Sequence, residues 1–302
     1  MASFALKVTQ FGFSTLGLVS PKAAGVLAFS LFCRTPSRRP WAPKAQATFK
    51  AGAELLARAE RAILQTSSGT IAAYRLVSLK ERAPRVLVVH GWGSRAEFLA
   101  GLAAGIHQAG SEVVLIDLPG HGRSSGRLLN MRIAAEAIAA AQGHFGPFDG
   151  VVGHSFGGAS VMTAAGGIFA DVAALDPGKF VLIGAPSEIQ GIFNGFAEHL
   201  KLTIPVRRAL IAHAERVLGR TVDAFDTVPI AQRLARPVLV IHAEDDKEVS
   251  VDHARRFLER DIPAQVLWAN GYGHRRIVSA PEVISNVVGF LMESDVVTDS
   301  AA

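Results

Sequence analysis

Gly150-Val151-Val152-Gly153-His154-Ser155-Phe156-Gly157-Gly158-Ala159 is the stretch that decides the fold. Its apolar start predicts a strand, and the small residues after Ser155 predict a helix that follows at once. Residues 153–157 match the pattern G-x-S-x-G. In so sharp a turn a Cβ at Gly153 or Gly157 would collide with the neighbouring strand and helix. The stretch therefore predicts that Ser155 is a nucleophile lying exposed above the strand ends.

Strand-like and helix-like segments alternate on both sides of this turn. Such alternation predicts an α/β fold, with a mostly parallel central sheet and helices on both of its faces. The predicted strands are residues 70–77, 85–90, 112–117, 148–153, 179–183, 237–242 and 265–268. The predicted helices are residues 46–65, 96–108, 132–142, 155–168, 251–260 and 281–291.

A second motif, His90-Gly91-Trp92-Gly93-Ser94, follows an apolar strand. A glycine-containing loop in this place lets backbone amides face a substrate oxygen and, with the amide after the nucleophile, form an oxyanion hole. We predict the amides of Trp92 and Phe156 as its donors. His90 and Gly91 are interpreted as structural residues of the loop.

A third motif, Asp117-Leu118-Pro119-Gly120-His121-Gly122-Arg123-Ser124, also follows a strand and is dense in turn residues. We interpret it as one wall of the site. Asp117 and His121 are predicted to brace the loop.

The three motifs, in this order, resemble those of the α/β-hydrolase superfamily, over roughly residues 65–293. The resemblance implies a sheet of about eight strands and a catalytic triad in the chain order serine, acid, histidine. Against the family pattern H-G-x-x-D-x-x-V, residues His242, Asp246 and Val249 agree, while Ala243 replaces the glycine. Asp246 is thereby implied as the acid, with Asp245 and Glu244 as alternatives.

Two histidines, His253 and His274, follow Asp246 in the chain. His253 falls in a predicted helix. His274 ends Gly271-Tyr272-Gly273-His274 just after the last predicted strand, and the family places its histidine in such a loop. The resemblance thus implies His274 as the general base.

Together these residues predict a serine hydrolase that cleaves a carboxylic ester or thioester through an acyl-enzyme. An amidase or peptidase of the same fold and a catalytically inactive binding module are the alternatives. The sequence holds no HExxH motif and no Cys/His ligand cluster, so we expect no metal and no cofactor. The expected partner is a small-molecule acyl substrate.

Residues 186–236 interrupt the alternation, with apolar residues at helical spacing. We interpret them as a helical cap insertion over the site, and an extra helical pair on the sheet edge is the alternative. Arg207, Arg208 and Arg216 would suit an anionic substrate or face solvent. A hydrophobic acyl or alcohol group is favoured by Ile192, Phe193, Phe196, Leu200 and Leu202.

The chain has 302 residues, 49% of them hydrophobic and 19% charged, which is ample for a buried core. We expect a hydrolase domain at residues 46–302, preceded by an apolar helical extension and linker at residues 1–45. The net charge is +5, and the Lys and Arg residues are scattered apart from a short cluster at Arg34, Arg38, Arg39 and Lys44. No nucleic-acid-binding motif is present, so no nucleic acid is expected as a partner.

Residues 2–32 are apolar, with Lys7 and Lys22 as their only charges, and Pro21 divides them into two segments. Both are shorter than the roughly 20 apolar residues of a membrane-spanning helix. The segments predict a helical pair that packs on the domain or lies on a membrane surface; a signal or anchor, or an apolar extension with neither role, are the alternatives. We expect a cytoplasmic protein, with peripheral membrane contact through residues 1–44 under the first interpretation.

Overall fold

The computed structural model describes residues 4–38 and 42–293, and within them eight strands form one sheet. Its order is β1-β2-β4-β3-β5-β6-β7-β8, antiparallel for the β1–β2 and β2–β4 pairs and parallel from β4 onward. The strands are β1 (Glu60–Thr66), β2 (Gly69–Leu76), β3 (Arg85–Val89), β4 (Glu112–Ile116), β5 (Gly150–His154), β6 (Lys179–Ile183), β7 (Val238–His242) and β8 (Ala264–Trp268). This architecture confirms the predicted α/β-hydrolase fold.

Helices cover both faces of the sheet. Every residue of β4, β5, β6 and β7 is buried, as expected of apolar strands with helices on either side. The helices are α1 (Phe4–Val19), α2 (Pro21–Phe32), α3 (Pro43–Leu55), α4 (Ala96–Gln108), α5 (Met131–Phe145), α6 (Phe156–Ala165), α7 (Gln190–His199), α8 (Ile204–Leu218), α9 (Thr227–Leu234), α10 (Asp252–Arg255), α11 (Gly273–Arg276) and α12 (Pro281–Met292). Helices α4 and α12 share one core, whereas α5 and α6 contribute to the core on the opposite face.

The predicted helix over residues 46–65 is wrong in its second half. Helix α3 ends at Leu55, and residues 60–66 form the edge strand β1, paired with β2 along its whole length. Exposure alternates there, with Leu64 buried between the exposed Ile63 and Gln65. The alanines before this strand have a high helix propensity and suggested that the helix continues. The backbone hydrogen bonds of residues 60–66 are instead made with the antiparallel strand β2.

Helices α7, α8 and α9 lie between β6 and β7, in the segment predicted as an insertion. The part of this segment that contains α7 and α8 is closed at its base. The Ser187 carbonyl accepts a hydrogen bond of 2.8 Å from the Thr227 amide, and Arg256 donates one of 2.8 Å to the Ser187 hydroxyl while it pairs with Asp226. The chain of α7 and α8 therefore begins and ends at one partly buried clamp, which we define as Ser187, Asp226, Thr227 and Arg256, and α9 leads from the clamp to β7.

The amino-terminal hairpin of α1 and α2 packs on this insertion. A Cβ on Gly25 of α2 would lie 2.6 Å from the Ala209 backbone of α8, so the two helices touch at their main chains. On the same helix, Phe29 contacts Phe193 and His213 at ring-centroid distances of 6.4 and 5.6 Å. None of the described helices is long and apolar enough to cross a bilayer.

The residues after α2, predicted as a linker, run along the loop of the third motif. The Cys33 carbonyl accepts a hydrogen bond of 2.8 Å from the Leu129 amide, and the Thr35 amide donates one of 2.9 Å to the Arg127 carbonyl. Arg38 donates to the Gly120 carbonyl at 3.1 Å. Residues 34–38 are thus held against the domain, and residues 39–41 of the predicted linker lie outside the described residues.

The close crossing at Gly25 makes a stability prediction. Gly25→Ala is expected to lower the free energy of unfolding by about 1–3 kcal/mol, because the added methyl group must push α2 away from α8. The control is Gly12→Ala in α1, where the Cβ meets nothing within 4 Å and the better helix propensity of alanine favours folding. Urea titrations of both variants check this. A Gly25→Ala variant as stable as Gly12→Ala would contradict the close crossing.

Candidate active site

Ser155 lies in the predicted turn between β5 and α6. Its φ of 53° and ψ of −124° are rare for a residue with a side chain, and its amide is tied to the Ile183 carbonyl at 2.8 Å. A Cβ on Gly157 would lie 2.4 Å from the Val89 carbonyl oxygen. The strand, the serine and the helix can therefore meet only if this position has no side chain.

Three of the predicted residues meet at this turn. The His274 Nδ1 lies 2.7 Å from Asp246 Oδ2, and its Nε2 lies 2.9 Å from Ser155 Oγ. With the Nδ1 proton donated to the carboxylate, Nε2 carries the lone pair that accepts the serine hydroxyl proton. His274 is itself buried, and Asp246 has a side chain with no exposed surface. The arrangement is that of a nucleophile, a base and an acid that orients the base.

Asp246 is held as a carboxylate by its surroundings. Its burial acts to raise the pKa, but hydrogen bonds from His274 and from the amides of Val249 and Glu248 outweigh burial and leave the pKa lowered. The two amides donate to Oδ1 at 2.9 and 2.8 Å. Oδ2 is thus left to accept the hydrogen bond from His274, with its negative charge intact.

The neighbouring acids have other partners. Asp245 accepts from the Gly271 amide at 2.9 Å, and Glu244 accepts from the Asn270 side chain at 2.9 Å. Glu248 pairs with Arg275 at 2.7 Å. Of the acids weighed in the sequence, Asp246 is the one that the fold directs towards His274.

The other late histidine, His253, lies at the clamp. Its Nδ1 accepts from the Ser187 amide at 3.1 Å. This bond gives His253 a part in fixing the end of the insertion. His274, by contrast, lies on α11, and its ring is within hydrogen-bond distance of Ser155.

Further residues, whose contacts were not predicted, lie behind Ser155, His274 and Asp246. The His154 ring lies 2.9 Å from the His274 carbonyl, and the His242 ring lies 3.7 Å from Asp246 Oδ2. A Cβ on Gly184 would lie 3.3 Å from His274 Nδ1, which explains the glycine with φ of 54° after β6. His242 could have been found from its place in the acid motif, whereas the variable position of G-x-S-x-G gave no signal for His154.

The loop of the second motif lies directly against the nucleophile. A Cβ on Gly91 would be 2.8 Å from Ser155 Cβ, and the Trp92 ring contacts Phe156 edge-on at 5.7 Å. Within the described residues no hydrogen bond involves the amides of Trp92 or Phe156. Two free N–H groups flanking a serine are the donors that an oxyanion hole requires.

Two buried neutral histidines fix that loop. Burial lowers the pKa of His90 to about 4 and that of His121 to about 3. The His90 ring accepts from the Leu118 amide at 2.9 Å and donates to the Gly91 carbonyl at 2.7 Å, while His121 accepts from the Gly93 amide at 2.9 Å. Each ring thus joins the second motif to the third.

Asp117 braces the third motif through separate bonds. Its carboxylate accepts from the Ala96 and Arg123 amides, both at 2.8 Å, and from the Tyr74 hydroxyl at 3.1 Å. The predicted bracing of this loop by Asp117 and His121 is therefore present in the geometry, although the two residues act on different groups.

These histidines predict a loss of stability in acid. Burial disfavours their protonated form, as it does for His154, whose pKa falls to about 4. The histidines bind protons below about pH 6.5 in the unfolded chain, but only towards pH 4 or below in the folded protein. The free energy of unfolding is therefore highest above pH 6.5 and decreases as the pH is lowered towards 4. Each histidine contributes about 1.4 kcal/mol per pH unit to this decrease. Urea titrations across this range should show His121→Asn with a shallower decline than wild type; an equal slope would contradict the neutral His121.

An aromatic cluster lies against the Trp92 ring of the second motif. Phe32, at the end of α2, lies 6.4 Å from the Trp92 ring, 4.7 Å from Phe193 and 5.2 Å from Phe196. Phe32 is far from the motifs in the chain, and no pattern around it indicates that it belongs here. Both the insertion and the amino-terminal hairpin thus contribute aromatic side chains to the surroundings of Trp92.

Among the described residues, no three His, Cys, Asp or Glu side chains are grouped as a metal site would require. Cys33 is buried, which raises the pKa of its thiol to about 12. Its thiol is therefore neutral and shielded from solvent.

Solved structures share this fold. A putative lipase from Acinetobacter baumannii is 18% identical, with a TM-score of 0.58, 84% of this chain and 98% of that chain covered. Est1E from Butyrivibrio proteoclasticus is 15% identical, with a TM-score of 0.58 and coverage of 76% and 97%. The esterase EaEST from Exiguobacterium antarcticum is 14% identical, with a TM-score of 0.58 and coverage of 78% and 100%.

The sequence itself matches a family model described as the alpha/beta hydrolase family, over residues 86–287. The match spans β3 to α12 and includes the Ser155 turn, Asp246 and His274. It covers about two thirds of the 302 residues and starts after the amino-terminal hairpin. The chain belongs to the α/β-hydrolase family.

Proposed function

We propose that this protein is a serine hydrolase that cleaves a carboxylic ester with an apolar acyl group, through the triad Ser155, Asp246 and His274. The observation that carries the proposal is the continuous hydrogen-bonded chain of 2.9 Å and 2.7 Å from Ser155 through His274 to Asp246. The esterase and lipase neighbours, whose similarity concerns the fold, are consistent with it.

The chemistry follows from the positions of the protons. His274 Nε2 takes the hydroxyl proton as Ser155 Oγ attacks the acyl carbon, and Asp246 stabilises the imidazolium that forms. The Trp92 and Phe156 amides hold the oxyanion. The imidazolium then protonates the leaving alkoxide, which departs as an alcohol and leaves the acyl group on Ser155.

Deacylation repeats these steps with water as the nucleophile. His274 removes a proton from a water that attacks the acyl carbon, and then returns it to Ser155 as the carboxylic acid leaves. Every proton transfer in the cycle passes through His274 Nε2. A thioester would follow the same route, with a thiol as the leaving group.

The choice of an apolar acyl group rests on the side chains above the site. Phe32, Phe193 and Phe196 form a closely packed aromatic group that reaches Trp92. Arg207, which the sequence left open for an anionic substrate, pairs with Glu198 at 3.5 Å. An apolar chain is the ligand that such aromatic walls stabilise.

Fluorophosphonate labelling combined with p-nitrophenyl ester hydrolysis tests the proposal. Wild type should label and should prefer butyrate or longer esters to acetate, whereas Ser155→Ala should not label. If wild type labels but hydrolyses no ester, an amidase of the same fold replaces the esterase. If wild type does not label, the site is inactive and a binding module replaces both; equal rates on acetate and on longer esters contradict the apolar acyl group.

A further inference from the structure

The outer face of α1 is apolar and uncovered. Half of the helix circumference faces solvent, and none of its residues is buried. Phe4, Phe11 and Leu18 recur along this face at exposures of 84%, 73% and 86%. Val8 and Val19 lie on the same half, at 54% and 81%. A helix in water normally turns such residues inward, so this face calls for a partner.

The inner face of α1 is already occupied. The Gln10 side chain donates to the His199 carbonyl at 2.8 Å, and a Cβ on Gly17 would lie 2.9 Å from Val206. These contacts hold α1 against the α7–α8 end of the insertion. The helix is therefore fixed with its apolar face outward.

The charged residues of the amino-terminal segment have one sign. Residues 1–53 contain no Asp and no Glu. Residues 54–302 hold 24 Lys and Arg and all 26 Asp and Glu, so the entire positive excess of the chain lies in the first 53 residues. The basic residues of that segment are Lys7, Lys22, Arg34, Arg38, Arg39, Lys44 and Lys50.

This combination identifies the partner by its chemistry. Exposed apolar side chains flanked by cations fit a bilayer surface, where the apolar groups enter the acyl region and the cations meet anionic head groups. A second copy of the chain fits poorly, because pairing of two such faces would bring like charges together without any acid from either segment. We propose that α1 docks the protein on an anionic lipid bilayer through Phe4, Val8, Phe11, Leu18 and Val19.

The docked position would bring the candidate active site to the lipid. Exposed Leu27 and Leu31 continue the apolar surface along α2, which ends at Phe32 against Trp92. One helical hairpin thus joins the bilayer contact to the loop with the candidate oxyanion amides. Binding itself needs no catalysis, so it stands or falls independently of the proposed hydrolase activity.

Sedimentation with vesicles of mixed phosphatidylserine and phosphatidylcholine tests the docking. Wild type and Ser155→Ala should sediment equally, and Phe11→Asp should lower the partition coefficient roughly tenfold or more, since a buried phenyl ring is lost. The control is Leu79→Asp, which also replaces an exposed apolar residue with an acid, in the loop that enters β3 at the amino-terminal ends of the parallel strands, whereas the insertion and Ser155 follow their carboxyl-terminal ends. This control should sediment as wild type does.

The double variant Lys7→Gln/Lys22→Gln tests the requirement for positive charge. Its partition coefficient with the anionic vesicles should be lower than that of wild type by about tenfold or more. Phe11→Asp and Lys7→Gln/Lys22→Gln should both hydrolyse a short soluble ester at the wild-type rate. Failure of wild type to sediment, or equal sedimentation of Phe11→Asp and Leu79→Asp, overturns the proposal. So does light scattering that shows a wild-type dimer which Phe11→Asp converts to a monomer, because α1 would then pair with a second copy.

Discussion

His274→Ala is expected to lower kcat for p-nitrophenyl butyrate by about 10⁴- to 10⁶-fold. His274 Nε2 is the group within hydrogen-bond distance of Ser155 Oγ that can accept its proton, at 2.9 Å. Without it the serine must attack as a neutral hydroxyl. Steady-state kinetics of the purified variant measure the loss, and circular dichroism establishes that the fold is retained.

The triad also predicts how losses combine. Ser155→Ala/His274→Ala should be no slower than Ser155→Ala, because the base has no function once its nucleophile is gone. His253→Ala is the matched control, because this half-buried histidine also follows Asp246 in the chain but lies at the clamp instead of on the serine. A His253→Ala variant that lost as much kcat as His274→Ala would show that the base is assigned to the wrong residue.

Asp246→Asn is expected to lower kcat by about 10⁴-fold with little change in structure. The amide can donate a hydrogen bond to His274 Nδ1, which then presents a proton on Nε2 towards Ser155, the wrong tautomer for a base. The neutral amide also leaves the imidazolium without its counter-charge. Because the pKa of Asp246 is lowered, the wild-type carboxylate stays charged throughout the neutral range.

Asp245→Asn is the control for this variant. The two acids are adjacent in the chain, yet Asp245 bonds to the Gly271 amide while Asp246 bonds to His274. Kinetics of both variants at neutral pH should separate by at least two orders of magnitude. Equal rates would mean that the histidine takes its orientation from elsewhere.

Local patterns predicted most of this fold because buried parallel strands are continuous apolar runs. The segments at β3, β4, β5, β6 and β7 read directly as strands, and the glycine-flanked Ser155 could occupy only a tight turn. The strand β1 was missed because it lies at the edge of the sheet. Most of its residues are exposed to solvent and four of the seven are polar, so it lacks an apolar run, and the preceding alanines suggested a continued helix.

The triad residues could be predicted because each follows a strand end, where the parallel sheet brings distant residues together. Contacts made by the insertion and by the α1–α2 hairpin do not occur at strand ends or at any other regular position in the sequence. Phe32 meets Trp92 because α2 crosses α8, and this crossing depends on Gly25 and Ala209, two small residues with no recognisable pattern. Tertiary packing of this kind leaves no periodic trace in a single sequence.

The clamp at Ser187 and Thr227 has a consequence for how this protein can diversify. Because both ends of the α7–α8 lobe meet there, the enclosed chain is a closed loop, and doubling the length of such a loop costs only about 0.6 kcal/mol. Evolution or engineering can thus exchange the lobe while the sheet and triad stay intact. The exchange has one condition, because the backbone of a new α8 must still allow α2 to pack directly against it. The α1–α2 hairpin and the α7–α8 lobe, although far apart in the chain, must therefore be exchanged together.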